Sequence, residues 1–217
     1  MKLTFLITAG PTREYLDPVR FFSNASSGKM GYALARAAKR LGNRVVLVSG
    51  PVGLEAPAGV EMVDVVSARE MFREVTQRAE RADIIIGAAA VADYRPAKVS
   101  RQKIRKSTAA LSVKLVPNPD IIKAIGRKKG KKVVVGFALE SRDLLKSAKA
   151  KMEEKNLDMI VANAPAVIGS ERASLWIIRR DGTMVPFKKL DKSEAAERII
   201  DEAVRIWKTR APGKAVS

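Results

Sequence analysis

The 217-residue sequence contains no cysteine and no histidine. Without cysteine there is no disulfide, no thiolate nucleophile and no cysteine-ligated zinc or iron–sulfur centre. Without histidine there is no imidazole base, no Ser-His-Asp triad and no histidine-ligated metal. Any catalysis must therefore rely on other polar side chains, backbone amides or a bound ion. Long hydrophobic runs are also missing: the apolar start ends at Gly10-Pro11 with no signal cleavage site, so we expect a buried first strand and a cytoplasmic protein.

Negative charge is scarce. Asp and Glu number 23 against 41 Lys and Arg, which gives a net charge of +18. This excess suggests an anionic partner, but charge alone does not choose among nucleic acid, a membrane and a phosphorylated small molecule. Aromatic residues make up only 5% of the chain and no nucleic-acid recognition motif appears, so a basic nucleic-acid-binding α/β module is the alternative hypothesis. A Rossmann-type dehydrogenase is disfavoured because the G-x-G-x-x-G fingerprint is absent.

Apolar runs that predict strands alternate with amphipathic segments that predict helices. The strands are Thr4–Thr8, Arg44–Ser49, Asp83–Ala88, Val133–Ala138 and Asp158–Ala162, and the helices are Ser27–Leu41, Ser67–Arg81, Arg142–Lys155 and Lys192–Trp207. Continuous apolar strands are typical of parallel sheets covered on both faces. We therefore predict a three-layer, Rossmann-like α/β fold with a mostly parallel sheet. Residues 1–210 are expected to form a single domain, and residues 211–217 a frayed tail.

One segment departs from this alternation. Ser174–Phe187 predicts a β-hairpin whose two-residue turn is Asp181-Gly182, near the C-terminal part of the chain. An antiparallel pair of this kind fits at the edge of a parallel sheet.

Two irregular stretches, Pro11–Ser26 and Val91–Ala110, each follow a predicted strand. Both should therefore lie at the carboxyl ends of strands, where open α/β sheets bind ligands. The first stretch leads through Ser and Asn residues into a helix N-terminus, which favours an anion, although Ser26 or Ser27 would equally serve as an ordinary cap.

Other polar features allow two interpretations. The cations of Lys103–Lys106 suit a triphosphate or a solvated face, whereas Arg127–Lys132 indicates surface charge only. Asn118-Pro119 predicts a helix start, with Asn118 as N-cap and Pro119 as the first helical residue. Lys151 and Lys155, four residues apart, share one helix face.

Taken in order, several short motifs resemble phosphopantothenoylcysteine synthetase, the phosphopantothenate–cysteine ligase family of coenzyme A biosynthesis. They are Ala9-Gly10-Pro11-Thr12-Arg13-Glu14, Asp17-Pro18-Val19-Arg20-Phe21, Ser23-Asn24-Ala25-Ser26-Ser27-Gly28-Lys29-Met30-Gly31, Ala88-Ala89-Ala90-Val91-Ala92-Asp93-Tyr94, Lys103-Ile104-Arg105-Lys106, Asn118-Pro119-Asp120 and Val135-Gly136-Phe137-Ala138. The family joins 4′-phosphopantothenate to cysteine through an acyl-cytidylate, and CTP is converted to CMP and pyrophosphate. The motifs resemble those of the bacterial CTP users, although Arg105 stands where the family commonly has lysine.

The resemblance also implies roles for individual residues. Asn24 matches the asparagine that converts the acyl-nucleotide into product, and Lys103 the lysine that forms it. Arg20 and Ala90 match sensitive catalytic and substrate-binding positions. The nucleotide-contacting positions are Gly87, Ala88, Ala89, Asp93, Lys103, Pro119, Asp120, Ile121, Ile122, Phe137, Lys151 and Lys155.

The resemblance further implies Mg²⁺ with the triphosphate, no membrane or specific nucleic-acid partner, and a homodimer in which the predicted hairpin is a candidate for the interface. It identifies no metal ligands. In many bacteria a flavin-dependent decarboxylase precedes the ligase. That decarboxylase needs a histidine and a cysteine, which this chain lacks. We expect a stand-alone ligase. The sequence also allows a domain excised from a bifunctional enzyme, and a decarboxylase that is a separate protein.

Overall fold

A computed structural model describes residues 2–139, 144–163 and 172–210. Its strands are β1 Thr4–Ala9, β2 Arg13–Tyr15, β3 Phe21–Ser23, β4 Arg44–Ser49, β5 Glu61–Asp64, β6 Ile84–Gly87, β7 Tyr94–Pro96, β8 Leu115–Pro117, β9 Val133–Leu139, β10 Met159–Asn163, β11 Arg172–Arg179 and β12 Met184–Asp191. Its helices are α1 Lys29–Arg40, α2 Ala68–Ala79, α3 Ile121–Arg127, α4 Leu144–Glu154 and α5 Lys192–Arg210.

Eight strands form the central sheet, in the order β12-β11-β10-β9-β6-β1-β4-β5. The six strands from β10 to β5 are parallel, and β11 and β12 are antiparallel at one edge. The predicted α/β fold and its antiparallel hairpin are therefore confirmed. The hairpin turn is one residue longer than predicted, because the Arg179 amide donates to the Thr183 carbonyl around Arg180-Asp181-Gly182.

The alternation of side chains along each strand explains why both faces of the sheet are covered. In β1, Phe5 and Ile7 join one apolar cluster with α1 and α5, whereas Leu6 joins a second with α2, α3 and α4. The other central strands divide in the same way, so each buried strand needs apolar residues at successive positions.

Helix ends follow the sequence in some places and not in others. Ser67 and Glu70 form the expected capping box of α2. Helix α1, however, begins at Lys29 after Gly28, which has φ 73° and no side-chain cap, so neither Ser26 nor Ser27 is its N-cap. The prediction for α3 was also wrong: its N-cap is Asp120, whose Oδ1 accepts from the Lys123 amide at 2.9 Å.

Asn118 is unavailable as a cap because it joins loops instead. Its Nδ2 donates to the Ala92 carbonyl at 2.9 Å, and its own amide donates to the Asp93 carbonyl at 2.7 Å. Pro119 consequently precedes the helix rather than starting it. The start of the predicted helix at Arg142 and the tail 211–217 lie outside the described residues.

Within the two irregular stretches, β2 pairs with β3 and β7 pairs with β8 as small antiparallel ladders. Both stretches follow strands at the centre of the sheet, β1 and β6. The chain runs from β1 toward β4 on one side, whereas β6 and β9 lie on the other. This reversal of strand order creates a crevice at the carboxyl ends of β1 and β6. Among the described residues, no helix is long and apolar enough to cross a membrane.

Candidate active site

A cavity of about 190 Å³ lies over β6 and β9, between α3 and α4. Its lining consists of Gly87, Ala89, Val91, Ala92, Asp93, Asn118, Pro119, Asp120, Ile121, Ile122, Gly136, Phe137, Lys151, Lys155 and Leu157. Apolar side chains therefore share the lining with five charged or amide side chains, which can fix the orientation of a bound small molecule.

Two paired glycines keep the floor of this cavity open. Gly87 of β6 lies beside Gly136 of β9. A Cβ atom on Gly87 would lie 2.5 Å from the Ile122 side chain, and one on Gly136 would lie 2.6 Å from Leu157 Cδ1. Larger residues at either strand position would push the lining side chains into the cavity.

An ion pair crosses the cavity from α3 to the end of α4. Lys155 Nζ lies 2.8 Å from Asp120 Oδ2, while Asp120 Oδ1 caps α3. Burial opposes ionisation of Asp120, but the hydrogen bonds from Lys155 and from the Lys123 amide outweigh it, so the Asp120 pKa is lower than usual. The Lys155 ammonium is thereby held beside the cavity, where a phosphate would compete with Asp120 for it.

The loop after β6 is fixed by hydroxyl groups from the β1 side. Thr8 Oγ1 accepts from the Ala89 amide at 3.1 Å, and Thr12 Oγ1 accepts from the Ala92 amide at 2.9 Å. Both threonines are buried. Because the backbone groups between them are held from one side by threonines and from the other by Asn118, the loop is preorganised.

Asn24 contacts this same loop. Its Nδ2 donates to the Ala90 carbonyl at 3.3 Å and to the Val91 carbonyl at 3.0 Å. Val91 also lines the cavity, so Asn24 donates directly to the backbone of a lining residue. The Ala90 amide donates to the Gly10 carbonyl at 2.9 Å, which joins the β1 and β6 loops directly.

Arg20 and Lys103 lie beside each other on the two loops. Arg20 Nη1 donates to Asp17 Oδ2 at 3.0 Å and to the Ile104 carbonyl at 3.1 Å. Lys103 is exposed, and within the described part of the chain its ammonium has no hydrogen bond or ion pair. This leaves a cation available to an anion that enters the crevice.

The N-terminus of α1 lies in the same crevice. Gly28 packs against Gly10, and an added Cβ would lie 3.4 Å from the Gly10 Cα. The Ser26 and Ser27 hydroxyls accept at 3.3 and 3.5 Å from the amides of Gly28 and Lys29. These long contacts leave the helix N-terminus suited to an anion, as the sequence suggested.

Most of the nucleotide positions implied by the family resemblance meet in the cavity. Ten of them line it: Gly87, Ala89, Asp93, Pro119, Asp120, Ile121, Ile122, Phe137, Lys151 and Lys155. Ala88 does not line it, and its side chain packs against the apolar cluster of α1 and α5. Lys103 lies on the neighbouring loop. Sequence reasoning did not assign five lining residues to the nucleotide, although all but Leu157 lie within motifs that it quoted: Val91, Ala92, Asn118, Gly136 and Leu157.

The chain as a whole is similar to known proteins. A family model, the DNA/pantothenate metabolism flavoprotein C-terminal domain, matches residues 1–206. The coenzyme A biosynthesis bifunctional protein CoaBC of Haemophilus influenzae is 44% identical over 209 residues, which are 93% of this chain and 51% of that protein. CoaBC of Bacillus subtilis is 42% identical over 208 residues, which are 94% of this chain and 51% of that protein. The chain thus spans about half the length of the curated relatives it matches.

Two solved structures are also similar. The crystal structure of the C-terminal domain of a CoaBC protein is 40% identical, with a TM-score of 0.84 over 95% of this chain and 96% of that one. The DNA/pantothenate metabolism flavoprotein from Streptococcus pneumoniae shares the fold, with a TM-score of 0.82 and 19% identity over 94% of this chain and 99% of that one.

Proposed function

Because the chain belongs to the family of the DNA/pantothenate metabolism flavoprotein C-terminal domain, we propose that it is a phosphopantothenate–cysteine ligase of coenzyme A biosynthesis. The observation that supports this proposal is that ten of the implied nucleotide-contacting residues meet in one cavity, next to a loop that Asn24 contacts. We assign the activity to residues 1–210 as one domain.

The proposed reaction has two steps. In the first, a carboxylate oxygen of 4′-phosphopantothenate attacks the α-phosphorus of CTP, and the P–O bond to pyrophosphate breaks. In the second, the neutral cysteine amine attacks the acyl carbon, an amide bond forms, CMP leaves with the electrons of the acyl C–O bond, and the proton lost by the nitrogen passes to the departing phosphate or to water. Neither step requires a histidine or a cysteine from the protein, because the thiol belongs to the substrate.

In this proposal the first step uses the cations of the crevice. Lys103 offsets the charge that builds on the α-phosphate and on the leaving pyrophosphate. Arg20 lies on the adjoining loop, 44% exposed, and is suited to bind a phosphate of either substrate. Lys151 and Lys155 hold the triphosphate from the side of α4.

The second step uses the amide of Asn24. An amide N–H donates to a developing oxyanion without changing its own protonation state. Two carbonyl groups of the loop already hold the Asn24 Nδ2 beside Ala90, so donation to the oxyanion exchanges one of these hydrogen bonds for one to the acyl oxygen. The small side chain of Ala90 leaves the acyl group room to approach.

The carboxylates of the cavity fit Mg²⁺ bound with the nucleotide. Magnesium is held in such sites by one or two carboxylates together with substrate phosphates, and Asp93 and Asp120 both line the cavity. Among the described residues, no cluster of three or more metal-binding side chains forms a cage of its own. Bound in this way, Mg²⁺ would neutralise part of the triphosphate charge.

We also propose a homodimer. The β2–β3 and β7–β8 strand pairs pack against each other, and large apolar side chains are exposed on them and on the turn between β2 and β3: Val19 is 58% exposed, Phe22 44% and Tyr94 57%. Exposed large apolar side chains on one part of a surface are typical of protein interfaces. Light scattering that gives the mass of one chain at micromolar concentration would contradict the proposal.

The decisive experiment measures pyrophosphate release. We expect release from CTP only when 4′-phosphopantothenate is present, and slower release from ATP. Lys103→Ala should block this step, whereas Arg101→Ala, which removes a neighbouring exposed cation, should not. Asn24→Ala should still release pyrophosphate but accumulate acyl-cytidylate. The absence of release with either nucleotide would refute the proposed function, and rapid product formation by Asn24→Ala would refute the role of Asn24.

A further inference from the structure

Asp17 is a fully buried carboxylate outside the cavity. Its Oδ1 accepts from the amides of Val19 and Arg20, both at 2.8 Å. Its Oδ2 accepts from Arg20 Nη1 at 3.0 Å and from the Ile104 amide at 3.1 Å. The carboxylate therefore closes the turn before β3 with one oxygen and reaches a distant loop with the other.

The distant loop is the one that carries Lys103. Ile104 is held at both its backbone groups, since its amide donates to Asp17 and its carbonyl accepts from Arg20. Four residues earlier, the Ser100 amide donates to the Leu16 carbonyl at 2.9 Å. Lys103 thus lies between two residues, Ser100 and Ile104, whose backbone amides both donate to the turn that contains Asp17. These two hydrogen bonds set the position of the Lys103 backbone, and its side chain stays exposed.

The ionised form of Asp17 is the one that this arrangement favours. Burial opposes ionisation, but the hydrogen bonds from the Val19, Arg20 and Ile104 amides and the charge of Arg20 outweigh it, so the Asp17 pKa is lower than usual. Hydrogen bonds to a charged acceptor are about twice as strong as neutral ones. The anchor is consequently at full strength at neutral pH.

We infer that Asp17 is a positioning residue for the first step of the reaction: its carboxylate fixes Arg20 and the Lys103 loop in one arrangement. The inference rests on the proposed function. Asparagine cannot replace the carboxylate, because it has one acceptor oxygen where four donors converge. If that oxygen keeps the hydrogen bonds from the turn amides, the amide nitrogen of asparagine faces the Ile104 N–H and the Arg20 guanidinium, which are donors themselves. The hydrogen bond that holds the Lys103 loop is then lost.

The test compares Asp17→Asn with the wild-type chain. We expect the maximal rate of pyrophosphate release to fall by about tenfold or more, as for loss of a buried charge-assisted hydrogen bond. The affinity for CMP, which occupies the cavity but lacks a leaving group, should change less than about twofold. A general loss of structure would weaken both. Asp83→Asn is the matched control: Asp83 also binds a backbone amide, that of Thr4 at 2.8 Å, but at the amino end of the sheet.

Limited proteolysis tests the anchor without using activity. Trypsin cleavage of the Lys103–Ile104 bond should accelerate about fivefold or more in Asp17→Asn, because cleavage requires the loop to leave the turn. Ile104→Pro removes the amide that donates to Asp17, and it should reproduce the loss of rate if Asp17→Asn fails to fold. Because trypsin does not cleave a bond before proline, faster cleavage in this variant is measured at the neighbouring Arg105–Lys106 bond. Ala109→Pro places proline in the same loop at an amide that makes no hydrogen bond to any described residue, and it should change neither measurement.

The outcomes separate the two proposals. A wild-type chain that releases no pyrophosphate refutes the proposed function. If the wild-type chain is active and Asp17→Asn, or Ile104→Pro in its place, releases pyrophosphate at the wild-type rate, the positioning role is refuted. It is also refuted if CMP affinity falls in parallel with the rate, or if the Lys103–Ile104 bond is cleaved no faster.

Discussion

Gly126 lies where α3 packs directly against the turn between α4 and β10. A Cβ atom at this position would lie 1.9 Å from the Lys155 carbonyl oxygen. The Asn156 Nδ2 donates to the Gly126 carbonyl at 2.8 Å, which fixes the turn against the helix. Since real Cβ atoms stay at least 3.0 Å from such an oxygen, Gly126→Ala must separate helix and turn by 1.1 Å or more.

Two opposing effects decide the stability of this variant. Alanine improves helix propensity by at most about 1 kcal/mol relative to glycine. Overpacking against rigid backbone costs about 1–3 kcal/mol. The clash is with a carbonyl group rather than with a flexible side chain, so the cost should be near its upper limit. We expect a net loss of about 1–2 kcal/mol in the free energy of unfolding.

The same displacement should reach the cavity. Asp120 is the N-cap of α3 and Lys155 lies in the turn, so their 2.8 Å ion pair joins the two elements that must separate. A shift of about 1 Å in a positioning element can cost up to a hundredfold in activity, so we expect CTP affinity to fall by about tenfold.

Urea unfolding and calorimetric titration with CTP measure these two effects. Gly53→Ala is the control, because a Cβ at Gly53 meets no atom within 4 Å and its φ lies outside the left-handed region. A Gly126→Ala variant that keeps wild-type stability and wild-type CTP affinity would refute the reasoning from this close approach.

Three further predictions concern ionic contacts. Asp158→Ala should lower the free energy of unfolding by about 3 kcal/mol or more, because it strands the largely buried Lys129 ammonium, 2.5 Å from Asp158, while CTP affinity stays unchanged. Asp120 has a lowered pKa, so its contribution to stability is complete above the ordinary pKa of 3.8 and is lost as the pH falls below it. The difference in free energy of unfolding between the wild-type chain and Asp120→Asn should therefore shrink between pH 5 and pH 3, and a constant difference would contradict this. Excess EDTA should abolish pyrophosphate release, and added Mg²⁺ should restore it.

The fold was predictable from the sequence wherever a strand is buried on both faces. Runs such as Ile84–Gly87 need apolar residues at every position, and this is a local signal. The edge strand Glu61–Asp64 gives no such signal, because it is half exposed and has a charged residue at each end. The small β2–β3 and β7–β8 ladders were missed for a similar reason: each strand has three residues, and its partner lies outside the local window.

The residues of the site were likewise predictable only where the sequence carries a local signal. Motif residues such as Asp93 and Phe137 were expected at the nucleotide, and both line the cavity. Leu157 was not expected, because it reaches the cavity only through the pairing of β10 with β9, above a glycine that gives it space. The N-cap of α3 was assigned to Asn118 because a cap pattern in the sequence does not show that the same side chain is needed to hold the Ala92 loop.

The excess of positive charge is now partly explained by the architecture. In a sheet of this type the helices return toward the amino ends of the strands, where their negative dipole ends collect. Helices α1, α2, α3 and α5 each have a basic residue in the last turn, whereas Lys151 in the last turn of α4 lines the cavity. At that end Asp158 also binds both Lys129 and Arg210, which ties the last helix to the sheet. The interpretation of Arg127–Lys132 as surface charge was therefore wrong at Lys129, whose side chain is largely buried in this ion pair. Cations at the two ends of the strands therefore have different roles. Those near the cavity are placed for anionic substrates, whereas many at the opposite end complement helix termini and a buried carboxylate, so a net charge of +18 requires no polyanionic partner.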